Sequence, residues 1–172
     1  MTEPAQKPHS SKQNYSTPEE FIVAVESKFG HIGFDLAAEH ETSKAGPYSC
    51  FTKEDDALTK DWVAESSTIR GWLWLNPPFG DIGSFAEKCA AESAKGARIL
   101  MLVPASIGSN WFRDHVLGKA MVFGLNPRMS FDGKSPYPKD LMLCVYANGV
   151  HGFDQWVWRK PKATLEVIGG TP

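Results

Sequence analysis

The chain has 172 residues, of which 42% are hydrophobic and 22% charged, and its formal net charge is −2. This is enough apolar material for one buried core. No apolar run reaches membrane-spanning length, and residues 1–14 lack the apolar segment of a secretory signal, so we expect neither a membrane span nor secretion but a cytoplasmic protein.

The predicted elements of the first half begin after a polar, disordered tail over residues 1–14. Thr17 as the cap, Pro18 at the first helical position and Glu20 closing a capping box predict a helix that ends at Gly30. Three strand candidates follow, over residues 32–34, 48–51 and 71–75.

Helices and strands alternate in the second half. Ser84 and Glu87 predict a second capping box, for a helix that ends at Gly96, and Ser109 predicts the cap of a shorter helix. The other predicted elements are a buried strand over 98–104, the short helix over 110–117, and strands over 121–125 and 141–146. This alternation predicts an α/β fold with a mostly parallel central sheet and helices on both faces.

We expect one domain over residues 15–160, followed by a flexible tail over 161–172. Residues 19–97 carry seven Lys or Arg against 14 Asp or Glu, whereas residues 98–172 carry nine against five. An acidic cofactor-binding half and a basic partner-facing half would suit an enzyme acting on nucleic acid, but ordinary surface scatter explains the counts equally well. The cysteines are odd in number and widely spaced, which predicts buried, reduced thiols rather than a disulfide framework or a metal site: Cys50, Cys89 and Cys144.

The most informative motif, Asn76-Pro77-Pro78-Phe79, directly follows the apolar strand at 71–75. Both prolines have a fixed φ and no N–H, so the turn is stiff and its carbonyls can accept hydrogen bonds from a substrate. Asn76 adds a side-chain carbonyl, and Phe79 adds a flat apolar face. Two acceptors that converge on one amino group orient its lone pair while the ring stacks on the base, which suits methylation of an adenine or cytosine amine. A merely rigid loop is the alternative, since Asn-Pro often starts a turn.

Other segments accompany this motif in a fixed order. They are Ser16-Thr17-Pro18, Phe34-Asp35-Leu36-Ala37-Ala38, residues 51–58, residues 74–79, Leu102-Val103-Pro104, Trp111-Phe112 and Arg128-Met129-Ser130-Phe131. Together they resemble the bacteriophage DNA adenine-N6-methyltransferase family over about residues 15 to 146. The resemblance implies a Rossmann-like class I methyltransferase fold, S-adenosylmethionine as methyl donor and double-stranded DNA as partner, in the bacterial host cytoplasm for a phage-encoded enzyme.

The resemblance also implies roles for particular residues. Asp35 would meet the methionine amino group of the cofactor, and either Asp55 or Asp56 would contact its adenosyl end. The full cofactor-binding set implied is Thr17, Pro18, Asp35, Ala37, Asp55, Asp56 and Asn76. The Gly-rich loop of broader methyltransferases is replaced here by Leu-Ala-Ala-Glu-His after the aspartate. Asp35 as a cap or loop residue, and the acidic pair as a solvated turn, are the structural alternatives.

A base inside a duplex cannot reach such a pocket, so the target adenine must be flipped out. The loop over residues 126–139 is the predicted DNA contact, with Arg128, Lys134 and Lys139 on phosphates and Tyr137 as a wedge. An exposed Pro/Gly loop with solvated lysines is the alternative. No separate target-recognition domain is evident, so sequence choice would come from this loop or from a homodimer, or be loose.

Two other functions stay open at the level of sequence. The same amine chemistry could serve cytosine N4, RNA or a protein amide. A catalytically inactive binding module with the same fold is the other reading, because the loop after Asp35 lacks glycines.

Overall fold

The structure is a computed structural model that describes residues 16–159. The tails predicted over 1–14 and 161–172 lie outside the described residues. Six strands form one sheet: β1 (Ile32–Asp35), β2 (Trp72–Leu75), β3 (Ile99–Pro104), β4 (Met121–Asn126), β5 (Leu141–Tyr146) and β6 (Gly152–Val157). The helices are α1 (Glu19–Phe29), α2 (Trp62–Ser66), α3 (Ile82–Ala94) and α4 (Asn110–His115), with a 3₁₀ turn at Ala57–Thr59.

The strand order across the sheet is β1-β2-β3-β5-β4-β6. Neighbours β1, β2 and β3 are parallel, β5 runs antiparallel between β3 and β4, and β6 is parallel to β4. In the described chain every strand except β5 therefore points the same way, which confirms the predicted α/β architecture with a mostly parallel sheet. As a result, the carboxyl ends of β1 to β4 all open onto one edge of the sheet.

Two apolar clusters lie on opposite faces of this sheet. Alternate residues of β3 divide between them, with Ile99, Met101 and Val103 on one face and Leu100 and Leu102 on the other. Buried residues of α2, α3 and α4 join the first cluster, and those of α1 join the second. Because β3 is buried on both faces, its sequence is uniformly apolar instead of alternating.

Close approach between β1 and β2 depends on two glycines. A Cβ on Gly33 would stand 2.4 Å from the Arg70 oxygen, and a Cβ on Gly71 would stand 2.4 Å from the His31 oxygen. Gly71 also has φ 122°, a conformation that costs glycine little. This contact brings Asp35 level with Trp74 in the pairing register, and so sets the end of β1 beside the end of β2.

Two predicted caps are wrong. Pro18, not Thr17, is the cap residue of α1, with no side-chain cap bond, because Thr17 turns inward and is only 3% exposed. Helix α3 starts at Ile82 with Asp81 as its cap residue, so Ser84 lies inside the first turn and donates to Asp81 Oδ1 at 2.5 Å. The Ser109 prediction is confirmed, since its Oγ accepts from the Phe112 N–H.

The structure differs from the sequence-based expectations in three further elements. The strand predicted over 48–51 is reduced to a single bridge between Asp35 and Cys50. Helix α2 and strand β6 were not predicted. Strand β6 is largely exposed, so its residues show no apolar alternation. The three cysteines are buried and free, as predicted. None of the described helices is both long and apolar enough to cross a membrane.

Candidate active site at the carboxyl edge of the sheet

Asp35 and Asn76, two of the predicted site residues, lie at the edge where the parallel strands end. Asp35 is the last residue of β1, and Asn76 directly follows β2. Because Asp35 pairs with Trp74, Asn76 lies two residues beyond the register partner of Asp35. The Leu36 N–H donates to the Trp74 oxygen at 2.8 Å, which ties the start of the loop after β1 to β2.

The turn that follows Asn76 is short and closed. The Pro78 carbonyl accepts from the Asp81 N–H at 3.0 Å. Pro77 is buried, while Asn76, Pro78 and Phe79 are half-buried. The turn therefore lies at the rim of the sheet, and the Phe79 ring is partly accessible to solvent.

Thr17 holds the Asn76 amide. The Asn76 Nδ2 donates to the Thr17 Oγ1 at 3.3 Å, and the Asn76 Oδ1 is buried. A hydroxyl that accepts from the amide nitrogen sets which way the amide oxygen points. The segment before α1 thus reaches the end of β2, and Pro18 follows Thr17 as the half-buried cap residue.

Asp35 is a buried carboxylate, 3% exposed, at the end of β1. Its Oδ1 accepts from the Ala37 N–H at 3.2 Å, and its Oδ2 accepts from the Lys44 N–H at 2.9 Å. Burial raises the pKa of Asp35 from 3.8 to about 6, although the two N–H groups and the Lys44 charge act in the opposite direction. A nearby cation would relieve this cost of burial, because it favours the charged form.

Lys44 was not singled out from the sequence. Its side chain is 13% exposed, and its Nζ lies 3.8 Å from Glu19 Oε2, at the start of α1. It joins the loop after β1 to α1 while its N–H holds Asp35. Nothing in the polar stretch around Lys44 distinguishes it, because the contact depends on the path of the loop.

The two neighbouring acidic residues, Asp55 and Asp56, have different environments. Asp55 Oδ2 accepts from the Thr52 N–H at 2.8 Å and from the Thr52 hydroxyl at 2.9 Å. These bonds, the N–H first, lower the pKa of Asp55. Asp56 is exposed, has φ 50° and precedes the 3₁₀ turn. Asp55 holds the turn, whereas the Asp56 side chain faces solvent.

The loop between β4 and β5 folds onto the Asn-Pro-Pro-Phe turn. The Tyr137 ring contacts the rings of Phe79, at 6.1 Å between centroids, and Phe131, at 5.3 Å. The Tyr137 N–H donates to the Met129 oxygen at 2.7 Å. Tyr137 is half-buried, so its ring is part of the wall beside the turn.

Further hydrogen bonds hold the rest of the loop over residues 126–139, both from within it and from Trp158 after β6. Asp132 accepts from the N–H groups of Ser135 and Lys134 and from the Ser130 hydroxyl, and these bonds lower its pKa to about 2. Trp158, which the sequence reasoning missed, donates from Nε1 to the Pro127 oxygen at 2.7 Å.

The predicted DNA-contacting side chains of the loop differ in their availability. Arg128 donates from Nε to Asp140 Oδ1 at 2.8 Å, so its guanidinium already has a carboxylate partner. Lys134 and Lys139 are exposed.

The carboxyl edge of this six-stranded α/β sheet thus combines a buried aspartate with an Asn-Pro-Pro-Phe turn. The chain belongs to the DNA N-6-adenine-methyltransferase (Dam) family, whose model matches residues 5–142. This confirms the resemblance seen in the sequence.

Two curated relatives are similar to parts of the chain. The DNA N-6-adenine-methyltransferase of Escherichia phage T1 is 27% identical over 107 residues, which cover 62% of this chain and 42% of the phage protein. The chain therefore spans less than half the length of that relative. The protein YfdM of Escherichia coli (strain K12), named as a methyltransferase, is 28% identical over 76 residues, 44% of this chain and 81% of YfdM.

Proposed function

We propose that the protein is an S-adenosylmethionine-dependent DNA methyltransferase that methylates the exocyclic N6 amine of an adenine flipped out of duplex DNA. One observation carries the proposal. This chain belongs to the Dam family, and its Asn76 lies two residues past the register partner of the buried Asp35. The Thr17 hydroxyl accepts a hydrogen bond from the Asn76 amide.

The fold supports a Rossmann-like class I assignment. In open α/β sheets, ligands bind beyond the carboxyl ends of the parallel strands, which is where Asp35 and Asn76 lie. The donor set fits the cofactor, because a buried carboxylate with a raised pKa is suited to a primary ammonium group. Asp35 would hold that group, with Ala37, Thr17 and Pro18 beside it, and the Asp55–Asp56 turn would lie towards the adenosyl end.

S-adenosylmethionine, when bound, supplies an electrophilic methyl group. The protein's task is then to orient the acceptor amine, whose lone pair is delocalised into the adenine ring. Acceptance of the two amine hydrogens by Asn76 Oδ1 and the Pro77 carbonyl would favour a pyramidal nitrogen. Correct positioning of the reaction partners can lower the activation barrier by about 7–11 kcal/mol. No strong base is needed, since the proton can leave once the nitrogen is cationic.

Phe79 would stack on the flipped base, with Pro78 keeping the turn closed. The half-buried Tyr137 ring, packed against Phe79 and Phe131, favours a role as a wall of the base pocket over the role of duplex wedge expected from the sequence. A ring enclosed in this way would have to leave two partners to enter a base stack.

Double-stranded DNA is the proposed partner, and the 126–139 loop is its proposed contact. Lys134 and Lys139 are exposed for phosphates, whereas Arg128 would have to exchange Asp140 for one. A cytoplasmic location follows from this substrate. Light scattering would test the homodimer as a means of completing the recognition surface.

The direct test is to incubate the protein with methyl-labelled S-adenosylmethionine and unmethylated duplex DNA, and then digest the DNA to nucleosides. Label in N6-methyl-2′-deoxyadenosine is the expected result. Label only in N4-methyl-2′-deoxycytidine, or only in RNA or protein acceptors offered in parallel, would reject the adenine of DNA as the target. Cofactor binding without transfer to any of these acceptors would assign the chain as an inactive binding module.

A further inference from the structure

An exposed isoleucine stands in the middle of the proposed DNA-facing edge. Ile107 is 65% exposed and lies in the loop after β3. Among the described residues of the loops that follow β1, β2, β3 and β4, it and Tyr48 are the strongly exposed large apolar or aromatic side chains. Single exposed apolar side chains are common on protein surfaces, so what is informative about Ile107 is its position at this edge of the sheet.

Hydrogen bonds brace the loop that carries Ile107. The Ser109 N–H and hydroxyl both donate to the Ser106 oxygen, at 3.0 and 2.7 Å, which closes a β-turn with Ile107 and Gly108 at its centre. The Ala105 N–H, at the base of the loop, donates to the Asp140 oxygen at 2.9 Å. Isoleucine is β-branched and its χ1 is restricted, so its side chain would lose little rotational freedom if something covered it.

The position of the tip is also informative. Leu75 pairs with Met101, so β3 continues past the end of β2 before the turn begins. On its other side β3 adjoins β5, where Pro104 pairs with Leu141. The loop that carries Ile107 therefore starts between the end of β2, which the Asn-Pro-Pro-Phe turn follows, and the start of β5, which follows the loop that contains Lys134 and Lys139. Residues 105–109 carry no charge, so no acidic group in this segment repels a phosphate backbone.

We propose that Ile107 is the wedge that enters the base stack of duplex DNA and fills the space vacated by the flipped adenine. The inference rests on the proposed function. Proteins that unstack bases commonly insert an apolar side chain between base steps, because its burial offsets part of the unstacking cost of a few kcal/mol. A side chain that faces water in the free protein, on a tip that does not need to move, can make this insertion without disturbing the core.

The wedge predicts a difference between duplex and single-stranded substrates. With linear plasmid DNA free of adenine methylation, Ile107→Ala should lower kcat/KM about tenfold or more, since an unaided duplex keeps its base stacked. On the same DNA after heat denaturation, where no stack has to be opened, the variant should stay within about twofold of the wild type. Ile107→Leu, which keeps the apolar volume, should restore most of the duplex activity.

Leu117→Ala is a matched control. Leu117 is another exposed aliphatic residue, 51% exposed, but it lies after α4, towards the opposite edge of the sheet. Truncation of Leu117 should leave kcat/KM unchanged on both duplex and denatured DNA. A second readout does not require turnover. With S-adenosylhomocysteine present, the thymine opposite a flipped adenine should become sensitive to permanganate in the wild-type complex, and less so with Ile107→Ala.

Unchanged activity of Ile107→Ala on duplex DNA would overturn the wedge, and so would an equal loss on both forms of DNA. A lower mass of the variant in light scattering would also overturn it, by assigning Ile107 to a contact between copies. No transfer by the wild type to either form of DNA would reject the proposed function itself, and the wedge with it.

Discussion

The strongest quantitative prediction concerns the pH dependence of cofactor binding through Asp35. If this carboxylate holds the cofactor's ammonium group, only its ionised form binds, and protons compete with the ligand. Its pKa is about 6 in the free protein, because burial opposes the charge. At pH 8 the group is almost fully ionised, whereas at pH 5 only about one tenth is, so the apparent Kd should rise about tenfold over this range.

Calorimetric titration with S-adenosylhomocysteine at pH 8, 7, 6 and 5 measures this effect, because that ligand keeps the amino-acid end and is not consumed. Most of the change should fall below pH 6. Asp35→Asn should bind weakly at every pH and should lose the dependence. Circular dichroism at each pH checks that the fold is intact.

Asp35 itself does not cause acid unfolding in this window. Its folded pKa lies above the unfolded value of 3.8, so between about pH 4 and 6 the folded state binds more protons than the unfolded state. The contribution of this group to the free energy of unfolding therefore decreases as the pH rises through that window. A loss of affinity on acidification runs against this trend, so weaker binding at pH 5 would not reflect Asp35-driven unfolding.

Two results would refute the reasoning. A Kd that is constant from pH 8 to 5 would make Asp35 a residue that only holds the Ala37 and Lys44 N–H groups. A pH dependence that persists in Asp35→Asn would assign the titration to another group.

Three further predictions test the turn, the DNA-contacting loop and the sheet. Asn76→Ala should lower methyl transfer by about 10²-fold or more while cofactor affinity changes only a few-fold; a variant that fails to fold would make Asn76 structural instead. Lys139→Gln should reduce by about 0.9 the slope of the logarithm of the DNA-binding constant against the logarithm of the salt concentration. The control Arg70→Gln, before β2 at the opposite edge of the sheet, should leave this slope unchanged. Equal slopes for both variants would show that Lys139 is not part of the DNA interface. Gly71→Ala places a Cβ 2.4 Å from a backbone oxygen at φ 122° and should destabilise the fold by at least about 2 kcal/mol in urea unfolding. The control Gly83→Ala, in helix α3, should stabilise the fold by about 0.5–1 kcal/mol. A Gly71→Ala protein as stable as the wild type would show that β1 and β2 can separate at little cost.

Local sequence rules worked best where burial and periodicity agree. The strand predicted over 98–104 is confirmed as β3, Ile99–Pro104, and it could be predicted because a strand buried on both faces is apolar throughout. Ser109 was correctly predicted as a cap, since the partners of its hydroxyl, the Phe112 N–H and the Ser106 oxygen, are local. The Asn-Pro-Pro-Phe turn directly after β2 could also be located from the sequence, because two prolines end the strand wherever it lies in the sheet.

The same rules failed at one helix cap because of a tertiary partner, and at a helix start and an edge strand for local reasons. Thr17 reads as a helix cap, yet its hydroxyl accepts from Asn76, 59 residues away. Ser84 was placed at a helix start, although α3 had already begun at Ile82. Strand β6 escaped prediction because an exposed edge strand imposes little pattern on its residues.

The sequence alone therefore determined the fold class, the family and the presence of an Asn-Pro-Pro-Phe turn at a strand end, because each depends on residues that are neighbours in the chain. Only the tertiary structure decided what surrounds that turn. The Thr17 hydroxyl on the amide, the burial that raises the pKa of Asp35, Tyr137 against Phe79 and the open tip at Ile107 all arise from strand order and loop path. Such contacts join segments far apart in the chain, and no local pattern encodes them.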